Sequence, residues 1–127
     1  MRAHVTSAIY NYNGAEILAS YNDEDIYSFY SNGEAAGTGD YVHRYQGHRN
    51  NATVKGVNYY GPQSEFVVSG SDCGNIFFWH KETEAIVQCV AGDENGVVSF
   101  FLPFLFSFLL FYFIKTTFDH FSSSLML

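Results

Sequence analysis

The sequence predicts an all-β architecture built from a repeated four-stranded unit and followed by an apolar C-terminal segment. Three observations carry this. Residues that favour a pleated, half-buried surface are abundant, with 13 Phe, 10 Tyr and one Trp in 127 residues. Short apolar runs alternate with clusters of turn residues. A stretch of the first half also recurs in the second, which marks a repeat architecture.

The first unit reads as strands at Val5–Tyr10, Glu16–Tyr21, Asp25–Tyr30 and Tyr41–Gln46. Gly14 punctuates the first turn and the acidic run Asp23-Glu24-Asp25 the second. "SNGEAAGTGD" before Tyr41 is long, small and polar, as a surface connection is. In the second unit the strands fall at Val54–Tyr60, Glu65–Gly70, Asn75–His80 and Ile86–Val90. Gly61-Pro62 and Ser71-Asp72-Cys73-Gly74 supply its turns. A third unit opens at Val97-Val98-Ser99 and then loses the pattern.

The repeat becomes explicit when the two units are superposed. Val5 meets Val54, Glu16-Ile17-Leu18 meets Glu65-Phe66-Val67, Ser20 meets Ser69 and Asp23 meets Asp72. After a one-residue gap in the turn, Ile26 meets Ile76 and Phe29 meets Trp79. The offset of about 49 residues is the size of one propeller blade. The organisation expected is a blade over 1–49, a blade over 50–96, an apolar segment over 97–114 and a polar tail over 115–127.

Charge and cysteine usage narrow the function classes. The net charge of −7, with six scattered basic residues, argues against a nucleic-acid surface. Cys73 and Cys89 lack metal spacing, and the first twenty residues hold no apolar signal segment, so reduced thiols are expected. The five histidines form no zinc pair, and no metal or cofactor is expected. The sequon Asn51-Ala52-Thr53 matters only in an exported chain. Asp23-Glu24-Asp25 reads as a solvated turn, or as a contact for a basic peptide. Ser69, His48 and Asp72 supply the residue types of a hydrolase. Ser69 lies on a strand with no Gly-x-Ser-x-Gly elbow leading into a helix, so an enzyme is not expected.

Gly47-His48, Asp72 and the terminal Trp79 resemble a WD40 repeat. The longer runs "SYNDEDIY" and "GHRNNATVKGVN" resemble substrate receptors of cullin-four RING ubiquitin ligases, the factors that associate with the damaged-DNA-binding adaptor. The resemblance runs from His4 to Ser99 and implies a partial WD40 β-propeller. It also implies a structural network of His48, Ser69, Asp72 and Trp79, with Ser20, Asp23 and Phe29 as first-blade counterparts. A buried indole N–H and imidazole need partners, and such a network supplies them. The resemblance implies a protein-interaction scaffold with the ligase adaptor and substrates as partners, in nucleus or cytoplasm. Departures are visible: His80 follows Trp79 where Asp is usual, and Phe29 replaces Trp. The adaptor-docking signature, Trp-Asp-x-Arg, is matched at neither Phe29-Tyr30 nor Trp79-His80, so no docking residue carries over. A complete ring needs roughly 300 residues, so a truncated form with lost or altered binding is expected.

Val97 to Ile114 contains no charge and is long enough for a membrane-spanning helix. Its summed insertion preference is on the order of −4 kcal/mol before Pro103, Ser99 and Ser107 are counted against it. Three readings follow: a membrane anchor, the strand pair of a third blade, or the translated end of an altered transcript. The first and the last of these give the alternative function, a membrane-anchored or non-functional product without a ligase role. The open apolar faces of two blades, Val57, Val67 and Phe78 among them, are expected to face water and to make the isolated chain prone to association.

Overall fold

The computed structural model describes residues 4–33, 40–51 and 56–92. The elements are β1 (Val5–Tyr10), β2 (Glu16–Tyr21), β3 (Ile26–Tyr30), β4 (His43–Tyr45), β5 (Val57–Tyr60), β6 (Phe66–Gly70), β7 (Asn75–His80) and β8 (Ile86–Ala91). They form two four-stranded sheets with orders β1-β2-β3-β4 and β5-β6-β7-β8, each strand antiparallel to its neighbour. No helix occurs among the described residues. The all-β architecture of two blade-like sheets is what the sequence predicts.

The strand boundaries differ from expectation where side chains compete for the backbone. β3 starts at Ile26 because Asp25 is drawn into an ion pair with Arg44, 2.7 Å away. β4 keeps three residues of the expected Tyr41–Gln46, although the Val42 N–H still reaches the Ser28 carbonyl at 2.7 Å. The second unit is described from Gly56, and its first strand from Val57.

The register also relocates the gap in the repeat. Ile17 stands opposite Phe29, and Val67 opposite Trp79. Ser20 faces Ile26, whereas Gly70, not Ser69, faces Ile76. In the first strands Ile9 pairs Leu18 as Asn58 pairs Val68. The extra residue of the second sheet therefore lies in its first turn, between Tyr60 and Phe66. That turn is built by the Ser64 N–H on the Gly61 carbonyl at 3.1 Å. Its counterpart is tightened by the Asn11 side chain accepting the Glu16 N–H at 3.1 Å.

Side chains alternate across each sheet, so each presents one apolar row to the other. Leu18, Ile26 and Tyr45 from the first sheet meet Val57, Val67 and Trp79 from the second in one cluster. Ile9, Tyr59 and Phe77 pack at its margin. The second face of the second sheet carries Tyr60, Phe66, Val68, Ile76 and Phe78, flanked by Val87 and Val90. Val57, Val67 and Phe78, expected to face water, are 2%, 0% and 0% exposed. Val57 and Val67 are covered because the row they occupy is the joint between the sheets. Phe78 lies in the second cluster, its ring edge-on to Tyr60 at 5.7 Å.

The apolar segment over 97–114, the strand expected from Val97 and the polar tail over 115–127 lie outside the described residues. Among the described residues no helix is long and apolar enough to cross a membrane.

Candidate functional site

The residues with the densest polar contacts lie along the joint between the sheets, centred on the connection Gln46–Asn51. This segment leaves β4 and must turn sharply. Gly47 takes a φ of 110°, and a Cβ there would come within 2.9 Å of Ile86 Cδ1. The left-handed φ is what favours glycine here, since the Ile86 methyl could move aside. The turn directs the Gln46 carbonyl at Trp79, whose indole Nε1–H donates to it at 2.8 Å. Trp79 is completely buried, as a large amphipathic ring is when its N–H is satisfied. The His48 ring lies edge-on to the indole, with centroids 5.5 Å apart.

Beyond His48 the chain bonds to both sheets in successive residues. On the second sheet, the Arg49 N–H donates to Ser71 Oγ at 2.8 Å, and the Arg49 carbonyl accepts the Asp72 N–H at 2.8 Å. The Asn51 N–H donates to the Asp72 carboxylate at 2.7 Å. On the first sheet, Asn50 Nδ2 donates to the Tyr21 carbonyl at 2.6 Å, and the Asn50 carbonyl accepts the Asp23 N–H at 2.8 Å. Residues 49–51 thus tie the β2–β3 turn to the β6–β7 turn.

A second set of bonds crosses the joint at its other end. The Tyr45 hydroxyl donates to the Lys81 carbonyl at 2.9 Å, and Lys81 Nζ pairs with Glu16 Oε2 at 3.3 Å. The Tyr59 hydroxyl reaches the same carboxylate at 3.5 Å. The Tyr12 N–H donates to Ser64 Oγ at 2.9 Å, and the Arg44 N–H to Glu84 at 2.6 Å. Burial pushes the Tyr45 phenol well above the usual tyrosine range. Tyr59 is raised by burial and then by the Glu16 carboxylate beside it.

The residues singled out in the sequence divide. Trp79, His48 and Asp72 meet at the connection. Ser69, also buried, donates its hydroxyl to the carbonyl of its neighbour Gly70 at 2.9 Å. The hydroxyl that engages the connection belongs to Ser71. Ser20 is buried opposite Ile26, and Phe29 is half-buried opposite Ile17. Asp23 adopts a left-handed backbone, φ 57°, and engages Asn50 through its N–H. The side chain that stands where Asp72 stands is that of Asn22, which accepts the His4 N–H at 2.6 Å. Gln46, Asn50, Ser71, Glu16 and Lys81 were not singled out. For Gln46, Asn50 and Ser71 the only sequence signal is adjacency to the Gly-His pair and the turn Asp; Glu16 and Lys81 read as ordinary strand-end charges. Chemically the site is a clamp: Ser69 bonds a carbonyl and not a base, and no group of three metal-ligating side chains occurs among the described residues.

No protein-family model matches the chain. Among curated proteins it is 46% identical over 59 residues to WD and tetratricopeptide repeats protein 1 of Homo sapiens, covering 46% of this chain and 9% of that protein. It is 42% identical over 57 residues to WD repeat protein iqw1 of Schizosaccharomyces pombe, 45% of this chain and 7% of that protein. Over 67 residues it is 42% identical to DDB1- and CUL4-associated factor 6 of Homo sapiens, 52% of this chain and 7% of that protein. The similarity thus spans less than a tenth of these relatives, and all three are WD-repeat or DDB1- and CUL4-associated proteins. The match to DDB1- and CUL4-associated factor 6 agrees with the group that the runs quoted above resemble and distinguishes no type within it.

Proposed function

We propose that this chain is part of a WD-repeat interaction scaffold whose longer form is a substrate receptor of a cullin-four ubiquitin ligase. The observation that carries the reading is the 42% identity over 67 residues to DDB1- and CUL4-associated factor 6. Two blade-like sheets joined by a clamp at Gln46–Asn51 support it. In this reading the chain holds two neighbouring blades at a fixed angle and catalyses nothing itself. The ligase adaptor and substrates are its partners, in nucleus or cytoplasm. Ser20, Asp23, Phe29, His48, Ser69, Asp72 and Trp79 serve the blades and not a reaction.

The test is affinity capture from cultured cells of a tagged full-length cullin-four receptor whose matching blades are replaced by residues 4–92 of this chain, probed for the adaptor, beside the same graft with Trp79→Ala. The adaptor, docked through the longer form, is expected with the graft and not with Trp79→Ala, which opens the joint. A folded graft that captures no adaptor removes the ligase role and leaves an interaction scaffold. The uncharged run from Val97 to Ile114 favours a second reading, a membrane-anchored fragment. Release of the chain by carbonate, without detergent, would dismiss it.

A further inference from the structure

The β2–β3 turn and the connection Gln46–Asn51 enclose a cleft of about 460 Å³, lined by Asp23, Glu24, Asp25, His48, Arg49 and Asn50 among others. Its charges are not equally available. Asp25 is neutralised by Arg44, whose Nε and terminal nitrogen lie 2.8 and 2.7 Å from its carboxylate. Glu24 accepts only neutral donors, the Tyr27 hydroxyl at 3.1 Å and the Asp25 N–H at 3.4 Å. The Asp23 carboxylate has no hydrogen bond or ion pair among the described residues, and its N–H is held by the Asn50 carbonyl. Two carboxylates at the rim are therefore not neutralised by any cation of the described chain. The Arg49 guanidinium, also in the lining, makes no ion pair with either carboxylate among the described residues.

A second, independent feature lies in the wall of the cleft. Asn50 is 6% exposed. Its Nδ2 is committed to the Tyr21 carbonyl, outside the lining, which fixes the amide orientation. Its Oδ1 is buried and has no donor. Buried acceptors are nearly always satisfied, so an orphan on a residue that shares its lining with two uncompensated carboxylates indicates a missing donor. A ligand that supplies several N–H donors and a positive charge matches all three groups, and an anion matches none.

We propose that this cleft binds the ammonium or guanidinium of a lysine or arginine side chain presented by a partner polypeptide. The cation sits between the Asp23 and Glu24 carboxylates, with Asn50 Oδ1 as the inner acceptor. The proposal rests on the scaffold reading above and specifies the chemistry of one partner. Adaptor capture does not depend on it, so loss of either leaves the other standing.

The test is titration of the isotope-labelled chain, followed by amide resonances, with acetyl-Gly-Gly-Lys-Gly-Gly-amide and its Arg counterpart. The Glu counterpart and spermidine are the comparison arms. Saturable shifts of the Asp23, Glu24 and Asn50 amides are expected with the Lys or Arg peptide and not with the Glu peptide. Asp23→Asn tolerates the left-handed backbone and is expected to weaken binding about tenfold by removing one charge-assisted contact. Glu24→Gln, at an exposed position, gives a second variant with the same expectation. Absence of saturable shifts, or equal binding by both variants and wild type, overturns the proposal. Spermidine binding more tightly than either peptide also overturns it, by assigning the cleft to free polyamines.

Discussion

Ser71 is completely buried, and its hydroxyl is shared by the Arg49 N–H, the Arg49 carbonyl and the Cys73 thiol. Ser69, two residues earlier and equally buried, touches only the carbonyl next to it. Ser71→Ala should therefore cost about 1–3 kcal/mol by orphaning a loop N–H, and Ser69→Ala less than about 1 kcal/mol. Asp72→Ala should fall in the range of about 1–3 kcal/mol, through loss of the Asn51 N–H bond. Urea denaturation of the three variants checks the order; a Ser69→Ala loss equal to that of Ser71→Ala would place the network on the wrong serine. The sequence makes Trp79, His48 and Asp72 legible because ring size, the Gly-His pair and turn chemistry are local signals. It does not separate Ser71 from Ser69, since both lie in "SGSD" and only the register decides which meets the connection. Asn22 and Asp23 are exchanged for the same reason. The two turns differ by one residue elsewhere, and a linear alignment cannot see where.

At the scale of elements, the strands are legible because Gly, Asn, Asp and Ser interrupt each apolar run. What is not legible is how one sheet meets the next, since that contact joins residues far apart in the chain. The Glu16–Lys81 pair shows this: each residue reads as an ordinary strand-end charge. Together they lie 3.3 Å apart with side chains 11% and 12% exposed. Removing one member of a buried pair leaves its partner uncompensated, so Lys81→Met should cost about 3–5 kcal/mol. Glu16→Leu with Lys81→Met should recover much of that loss. A double-mutant cycle measured by thermal unfolding checks it. Strict additivity of the two single losses would mean that the pair contributes nothing to the joint.

Across the whole molecule, the joint makes stability sensitive to alkali. The Tyr45 and Tyr59 phenols are held above their ordinary value by burial. The unfolded chain therefore releases these protons near pH ~10 while the folded chain retains them. Stability is fully present below that pH and is lost as pH rises through and beyond it. Denaturation midpoints should be flat to about pH 9 and fall steadily above about pH 10, less steeply in Tyr59→Phe. An unchanged midpoint through that window would show that both phenols ionise freely in the folded state. Trp79 has a further consequence. The only indole in the chain lies at the sheet-to-sheet joint, with no solvent around it and its N–H on a carbonyl of the opposite sheet's connection. Ultraviolet emission from this protein is therefore a single-site signal of blade contact. It should be blue-shifted while the sheets touch and move to the red as soon as water enters between them, even where each sheet keeps its own hydrogen-bond ladder. Emission and far-ultraviolet dichroism recorded together would then distinguish parting of the blades from their melting, without any label being attached.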